Sequence, residues 1–457
     1  MSADEGTSET SPGVVRGNPR VLTLVIANTF SCFGSAVAML AFSYVSYVLT
    51  GSLAATVAIM AVSALPALVF IQPAARLTMR FDLRLLCAIL ALAKMALFLG
   101  VGLIFSTGYI TFWLLFFTSL INGIIGAFTF PPWNNFLREI APAGRLADLD
   151  SVLMSASAIA GIAGVLCGGL MLNGWGLASL FYVNALSYAL YAVPFLLFPP
   201  VRAVLADRKR ASIREAARVI RDEEALRRFV ILALVVQLVA WPLLNLLPDI
   251  ATTIGPNPLY FSLLLSAVYA GMSLVAPILA LREKHYSHWQ IAMVALTILM
   301  LATIVVGLAP VIDENSRLIL LMVLFIPLGM ALNMTSVLTS AAVQSGAPDE
   351  HEANVLAVYS AAITVITPVG ALIVAGIADL SDVWVAVVVE GLGIGVLLAF
   401  LAAPSMRRHF DHSLKDREHV ILRHARHHAV ARTLPGDMEP VRRADSDPVA
   451  SGGPPGA

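Results

Sequence analysis

The 457-residue chain is 58% hydrophobic and only 13% charged, about half the charged fraction of an ordinary soluble domain, which this composition excludes. Its 29 Lys and Arg balance 29 Asp and Glu, so the net charge gives no indication of a nucleic-acid partner. Cys32, Cys87 and Cys167 lie in apolar stretches without metal-type spacing. We therefore expect a membrane protein with no metal site and no cofactor.

Twelve apolar stretches are long enough to cross a bilayer, because about 20 apolar residues span the hydrocarbon core as a helix. They divide six and six around a basic linker at 200–228. The pattern predicts an all-α polytopic membrane protein with two pseudo-symmetric six-helix bundles, at 21–199 and 229–404. Numbered span 1 to span 12, the predicted helices cover 21–48, 52–74, 84–106, 109–136, 149–172, 176–199, 229–252, 258–281, 289–312, 317–345, 353–379 and 382–404.

Basic residues collect on one side of these spans. Of the 29 Lys and Arg, 27 fall on that side, whereas the opposite side has only Arg317. Five acids collect on that opposite side, namely Asp249, Asp313, Glu314, Asp379 and Asp382. By the positive-inside rule, both termini are predicted to be cytoplasmic in a multi-pass protein of the cell membrane. Residues 1–20 then form a cytoplasmic N-terminal tail.

The linker between the halves contains a predicted amphipathic helix. Ser212 and Glu215 form a capping box, and Ile213, Ala217 and Ile220 share one face. The helix could have a regulatory role, but we expect it to lie on anionic headgroups.

The segment 405–457 is a basic, His-rich tail. His424 and His428 are spaced for a shared metal ion, but the neighbouring Arg423 and Arg426 would repel a cation. We expect a basic juxtamembrane helix here, with disorder after about residue 435.

Spans 1, 4, 7 and 10 each carry polar residues on one helical face. Hydrogen bonding between helices would explain such stripes, but their recurrence on every third helix favours a shared, water-accessible cavity. Trp241 is followed by Pro242, which predicts a bend in span 7. The stripes are Asn28, Ser31, Ser35 and Met39; Ser119, Asn122, Gly126 and Trp133; Gln237, Trp241 and Asn245; and Asn333, Ser336, Ser340 and Gln344.

Small residues at four-residue spacing permit close helix contact on spans 5 and 8. Gly164, Gly168 and Gly169 mark span 5, and Gly271 marks span 8. These seams could be static packing or surfaces that move against each other.

Two charged residues lie in the middle of spans, namely Lys94 on span 3 and Glu390 on span 12. Ionisable groups inside a membrane are candidate functional residues, although Lys94 could also extend to the interface. Asp249, near the outer end of the polar face of span 7, is a third candidate for ion coupling.

Several segments resemble the major facilitator superfamily, in particular its drug- and siderophore-exporter branch with macrolide-efflux and enterobactin-exporter proteins. The resemblance covers about 20–404. It implies that spans 1, 4, 7 and 10 line a central cavity, that spans 2, 5, 8 and 11 form the moving interface, and that Arg80 and Arg84 belong to a cytoplasmic gate. The matching segments are Leu49-Thr50-Gly51-Ser52, Leu65-Pro66, Asn184-Ala185-Leu186-Ser187 and IREAARVIRDEEALRRF at 213–229.

The chain departs from the family's motifs where charge is usual. Met79 replaces the acid of the loop after span 2, which leaves Asp82 as a substitute partner for the gate. Ser35 follows Gly34 where relatives often carry an Asp, and Ser119 stands where other exporters have a buried Arg. Val165 replaces the proline of the span 5 motif.

The resemblance and the uncharged stripes lead to one favoured hypothesis. We expect a monomeric secondary transporter that exports a neutral or amphipathic small molecule such as a drug, antibiotic or siderophore, with protons as the coupling ion. Uptake of a neutral nutrient is one alternative, and a non-transporting receptor or assembly protein is another. An enzyme is the least favoured, because no His, Cys or carboxylate cluster has catalytic spacing at membrane depth.

Overall fold

A computed structural model of the chain describes residues 18–141, 145–202, 213–280, 288–348 and 351–402. In these ranges, twelve helices are long and apolar enough to cross a membrane, which confirms the predicted all-α fold. Most of the N-terminal tail, Ser212 of the capping box, and the His424 and His428 pair lie outside the described residues.

The helix bounds follow the predicted spans closely. Span 1 consists of Pro19–Leu40, a π-helical turn and Ser46–Thr50; span 7 of Glu224–Ala240 and Leu243–Ile254; and span 8 of Pro258–Ser273 and Val275–Ala280. A linker helix precedes span 7 at Ile213–Asp222. The remaining spans are Leu53–Arg80 (span 2), Leu83–Ser106 (span 3), Phe112–Ile140 (span 4), Leu146–Trp175 (span 5), Leu177–Leu197 (span 6), His288–Gly307 (span 9), Glu314–Gly346 (span 10), Glu352–Leu380 (span 11) and Val383–Ala402 (span 12).

The predicted ends of spans 2 and 4 were too early, because the helices continue through Arg80 and past Arg138. A cation in the last turn interacts favourably with the helix dipole, so a basic residue need not end the helix. We call this end of the spans the basic end. The other, with Asp249, Asp379 and Asp382, is the acidic end.

The two halves repeat the same helix crossings about 206 residues apart. A Cβ atom at Gly123 of span 4 would lie 2.2 Å from the carbonyl oxygen of Ser63 on span 2. At Gly329 of span 10, it would lie 2.1 Å from that of Val268 on span 8. Glycine is therefore needed at both crossings. Two further pairs of crossings recur in the same way. The contact of Gly102 with Tyr182 corresponds to that of Gly307 with Val388, and the contact of Gly164 with Phe33 corresponds to that of Gly370 with Leu238.

Span 7 is broken at Trp241 and Pro242, as predicted. Proline has no N–H to donate to the carbonyl of Leu238, four residues earlier. Gly370 of span 11 packs against that same carbonyl, so the neighbouring helix contacts the freed group closely. The break leaves an outer helix of 12 residues with its own N-terminus inside the bundle.

The linker helix packs on protein through its apolar face. Ala216 is fully buried, and Val219 and Ile220 contact the cluster around Phe229 at the basic end. Ala217 is exposed, so the predicted face through Ala217 was wrong by one position. The i, i+3, i+4 relation of Ala216, Val219 and Ile220 defines the buried stripe instead.

Candidate functional site

The polar stripes of spans 1 and 7 occupy equivalent positions in the two halves. Ser31, Ser35 and Met39 lie 206 residues before Gln237, Trp241 and Asn245 respectively. The same repeat relates the packing glycines of the two bundles, so these two stripes occupy equivalent positions in the two halves. Neither stripe contains an ionisable side chain.

Three predicted cavity residues are engaged by neighbouring helices. Asn28 donates to the hydroxyl of Ser157 on span 5 at 3.2 Å. Ser119 is buried and donates to the carbonyl of Ile59 on span 2 at 2.7 Å. Asn333 donates to the carbonyl of Met272 on span 8 at 2.8 Å.

Two members of the stripes on spans 7 and 10 are joined. The indole N–H of Trp241 donates to Ser336 at 3.0 Å, which places this aromatic ring between the two helices. Ser340 lies 3.4 Å from the hydroxyl of Tyr359 on span 11. Asn245 is half-buried, one turn beyond Trp241 on the outer part of span 7.

Two stripe residues have a buried oxygen atom without a partner. These atoms are Oδ1 of Asn122 on span 4 and Oε1 of Gln237 on span 7. A buried amide that lacks hydrogen bonds costs about 1–3 kcal/mol. Both are therefore suited to receive a donor from water or a ligand. Trp133, at the basic end of span 4, instead packs its ring against Tyr191 and Phe195 of span 6.

Hydrogen bonds connect Lys94 to the span 1 stripe through the hydroxyl of Tyr188. The ammonium donates to the hydroxyl of Tyr188 on span 6 at 3.5 Å and lies 5.1 Å from the centre of that ring. The same hydroxyl is 3.1 Å from Ser35, whose side chain is exposed, whereas Ser31 is buried. Sequence reasoning treated Lys94 and Ser35 separately and missed Tyr188, which joins them.

The two halves meet at the acidic end. Asp379 of span 11 accepts hydrogen bonds from the backbone N–H of Leu53 at 2.9 Å, the N–H of Ala54 at 3.2 Å and the hydroxyl of Ser52 at 2.7 Å. These groups form the N-terminus of span 2, where a carboxylate is favoured by the helix dipole. Asp379 therefore caps a helix that belongs to the other half.

A second contact between the halves lies beside this cap. The hydroxyl of Tyr47 on span 1 donates to Asp249 on span 7 at 2.5 Å. Tyr44, one turn earlier, stacks on Phe261 of span 8 with ring centres 5.7 Å apart. Nearer the middle of the spans, Tyr269 donates to the sulfur of Met39 at 3.5 Å.

The break in span 7 divides this helix into an outer part that contacts both halves and an inner part whose main partners lie in the second half. The outer helix Leu243–Ile254 packs against span 2 and the π-helical turn of span 1. The main partners of the inner helix Glu224–Ala240 are spans 10, 11 and 12 and the linker helix, all in the second half. The acidic end is therefore the closed end of this conformation.

The predicted gate and seam residues take different partners. Gly164 and Gly168 face span 1, whereas Gly169 lies against Ser262 of span 8 and so crosses between the halves. Gly271 contacts the backbone of Ile326 and Met330 on span 10, within its own half. The small residues of spans 5 and 8 thus supply both fixed seams and one contact between the halves.

Arg80 and Arg84 form no hydrogen bond or ion pair with the described residues of the other half. Arg80 is exposed. Arg84 pairs with Asp82 at 3.0 Å and donates to the carbonyl of Phe198 at 2.7 Å. Asp82 also accepts from the N–H of Val201 at 3.2 Å. This cluster fastens the start of span 3 to the chain after span 6, inside the first half.

Glu390 lies where span 12 packs on the break in span 7. Its side chain is 3% exposed. Oε1 accepts the N–H of Leu243, the first residue of the outer helix, at 2.9 Å, and Oε2 has no partner. No group of three or more His, Cys, Asp or Glu side chains suited to a metal ion occurs among the described residues.

The described part of the chain thus has the helix arrangement of a polytopic transporter with two related bundles. The family model for the Major Facilitator Superfamily matches residues 24–371, and the chain belongs to that superfamily. Its members are transporters that bind small molecules in a membrane, and no catalytic family is indicated. The exporter branch remains a prediction.

Solved structures share this fold at low sequence identity. A nucleoside transporter, NupG, aligns with a TM-score of 0.69 at 14% identity, covering 84% of this chain and 99% of its own. A bacterial homologue of the human lysosomal transporter Spinster, inward-facing and unoccupied, gives 0.62 at 14% identity over 87% and 98%. A POT family transporter in complex with 5-aminolevulinic acid gives 0.62 at 13% over 84% and 95%. A comparison with curated protein sequences gave no match.

Proposed function

We propose that this protein is a secondary transporter that exports a neutral or amphipathic small molecule by alternating access, driven by the proton gradient. The observation that carries the proposal is the pair of equivalent stripes on spans 1 and 7, which offer hydroxyl, amide, thioether and indole groups but no ionised group. A strongly charged substrate would need a compensating charge on leaving water. Such stripes favour a ligand that carries polar groups without a fixed charge.

The orientation follows from the positive-inside rule, under which the basic end is cytoplasmic. The closed acidic end then faces outwards, so this conformation is inward-facing. The contacts of Asp379 and Tyr47 would have to break for release to the outside. Because Gly169 packs on Ser262 across the halves, spans 5 and 8 would separate in the same step.

Transport can be tested in two stages. Thermal-shift screening of the purified full chain against lipophilic antibiotics and siderophores identifies a ligand. Accumulation of that ligand is then measured in inside-out vesicles, with and without a protonophore. We expect uptake into these vesicles that the protonophore abolishes. Equal accumulation in both conditions would contradict proton drive, and accumulation by intact cells would indicate import instead.

Matched variants test whether the span 7 stripe is needed for transport. Gln237→Leu and Asn245→Leu remove polar groups from the span 7 stripe, and we expect each to reduce flux at least about tenfold. Ser155→Ala, on an exposed hydroxyl of span 5 that donates only to its own helix, is the control. Normal flux in both stripe variants would favour a cavity elsewhere, and absence of flux in every assay would favour a receptor.

A further inference from the structure

We propose that Glu390 is the proton-binding site of this transporter and that it acts on the break in span 7, next to the substrate stripe. The inference rests on the proposed proton drive. The structural observation behind it does not depend on proton drive. This observation is a buried carboxyl group at the N-terminus of a helix that starts inside the bundle.

The first argument is the asymmetry of the two carboxyl oxygens. Oε1 has a donor in the N–H of Leu243, whereas Oε2 is buried without a partner. An ionised carboxylate that lacks a partner in an apolar interior is costly, and binding a proton removes the charge. Oε2 is therefore the atom that takes the proton, and Oε1 keeps its contact with span 7.

The second argument is the surroundings of Glu390. Span 12 packs on spans 7, 9 and 11. On the described parts of these helices the charged groups lie near the ends, at Glu224, Arg227 and Arg228, at Glu352, and at Asp249 and Asp379. On span 9, the uncharged residues Ile304 and Thr303 pack against Gly391, the residue that follows Glu390. The described parts of these helices therefore place no cationic side chain at the depth of Glu390, which leaves a proton as the simplest occupant.

The third argument connects the carboxyl group to the substrate stripe. Leu243 begins the outer helix of span 7, and Trp241 precedes it by two residues and binds Ser336 of span 10. An ionised carboxylate holds the N–H of Leu243 by a charge-assisted bond, and protonation weakens that bond. The outer helix of span 7 carries Asp249 and the contacts with the first half. A change at Glu390 would thus act on both the stripe and the closed end.

The balance of the step is simple. A proton from the outer solution bonds to Oε2 of Glu390 in the outward-facing state, and the same bond breaks on the inward-facing side as the proton leaves to the cytoplasm. The electron pair stays on the carboxyl group throughout. Exported substrate and imported proton then occupy the transporter in opposite halves of the cycle, and each lowers the affinity for the other by the same factor.

The direct test needs no substrate. Infrared titration of the purified full chain reports the carbonyl band of buried protonated carboxyl groups. We expect a band that titrates in the parent protein, that is lost in Glu390→Gln, and that persists in Thr303→Val. A band unchanged in Glu390→Gln would overturn the proposal. Glutamine retains an oxygen for the N–H of Leu243, so the break in span 7 keeps its partner.

A transport test separates coupling from translocation. With the ligand found by thermal shift, we expect Glu390→Gln to lower gradient-driven accumulation at least about tenfold while counterflow exchange, which needs no gradient, is retained. Glu390→Asp restores a titratable group and should recover part of the driven transport if it folds. Full gradient dependence in Glu390→Gln would overturn the proposal. If the parent shows no gradient dependence, the proposed proton drive fails, and the infrared titration still decides whether Glu390 binds a proton.

Discussion

The two halves share their helix crossings but differ at one equivalent position. Asn184 is the eighth residue of span 6, and Glu390 is the eighth residue of span 12, 206 positions later. Both side chains are buried, and they face spans 1 and 7 respectively. The half with the amide faces a helix that continues past Gly34. The half with the acid faces a helix broken by Pro242.

The contrast between Asn184 and Glu390 shows where a buried carboxyl group can be tolerated. The break in span 7 exposes the N–H of Leu243 to Glu390, whereas span 1 has no such helix start beside Asn184. The amide of Asn184 instead accepts from Ser187 on its own helix at 3.4 Å. In the second half, the candidate proton site and the helix break therefore lie at the same place.

The largest effect is expected from transplanting the acid into the first half. Asn184→Asp keeps the size of the side chain but places an ionised group where no backbone N–H is free to receive it. An uncompensated buried charge costs about 3–5 kcal/mol, and we expect a loss of this order in the free energy of unfolding in detergent. Glu390→Gln should change it far less. An equally mild effect of Asn184→Asp would contradict the role given to the break.

The shared crossings predict the next largest effect. Gly123→Val and Gly329→Val place a side chain against the backbone of the neighbouring span in each half, and overpacking of this kind costs about 3 kcal/mol. We expect the two variants to lower the thermal unfolding midpoint by similar amounts. Gly126→Val is the control on span 4, because a Cβ atom there meets nothing within 4 Å. Unequal losses would show that the two crossings are not equivalent.

The acidic end offers a test that uses both halves at once. Asp379→Asn weakens the cap on span 2, and a hydrogen bond to a charged group contributes about 1.5 kcal/mol, or roughly tenfold in a conformational equilibrium. Ser262 is fully buried between the halves, so a thiol at this position reports their separation. Ser262→Cys is therefore introduced into a variant that lacks the native cysteines. We expect Asp379→Asn to raise its labelling by an impermeant maleimide about tenfold.

The matched control for this test is Asp382→Asn. Asp382 accepts the N–H of Trp384 at 2.7 Å and so caps span 12 in its own half. Its loss should leave the labelling rate of the reporter unchanged. Equal acceleration by both variants would indicate a general effect of removing negative charge at the acidic end and would reject the cap between halves.

Sequence alone predicted much of the fold because its signals are local. Twelve apolar stretches and the Trp241-Pro242 pair were sufficient for the spans and the break. The repeat was also detectable, since Gly102, Gly123 and Gly164 recur as glycines about 206 positions later. Periodicity places a residue on a face of its helix, but it does not identify which neighbour that face contacts.

The candidate site shows this limit in particular residues. Ser119 and Asn333 lie on polar faces, but their partners are backbone carbonyls of spans 2 and 8, because hydrogen bonding to a neighbouring helix and lining a cavity require the same residue types. Asp379 was counted only among the acids of one side. Its role as a cap depends on the approach of span 2, which is 326 residues away in sequence.

The smallest effect is predicted for removal of the hydroxyl of Tyr188, which connects Lys94 to Ser35 by hydrogen bonds. Tyr188→Phe removes the bridging hydroxyl but keeps the ring beneath the ammonium, so Lys94 loses one hydrogen bond and retains its cation–π contact. We expect a loss of about 1 kcal/mol in the free energy of unfolding and unchanged gradient dependence, which thermal unfolding and vesicle transport would measure. Tyr182→Phe, which removes a comparable hydroxyl bonded to Ser106, is the control for the loss of one hydrogen bond. Loss of gradient dependence in Tyr188→Phe alone would place a second coupling element in the first half. Proton coupling would then not be confined to the half that contains Glu390.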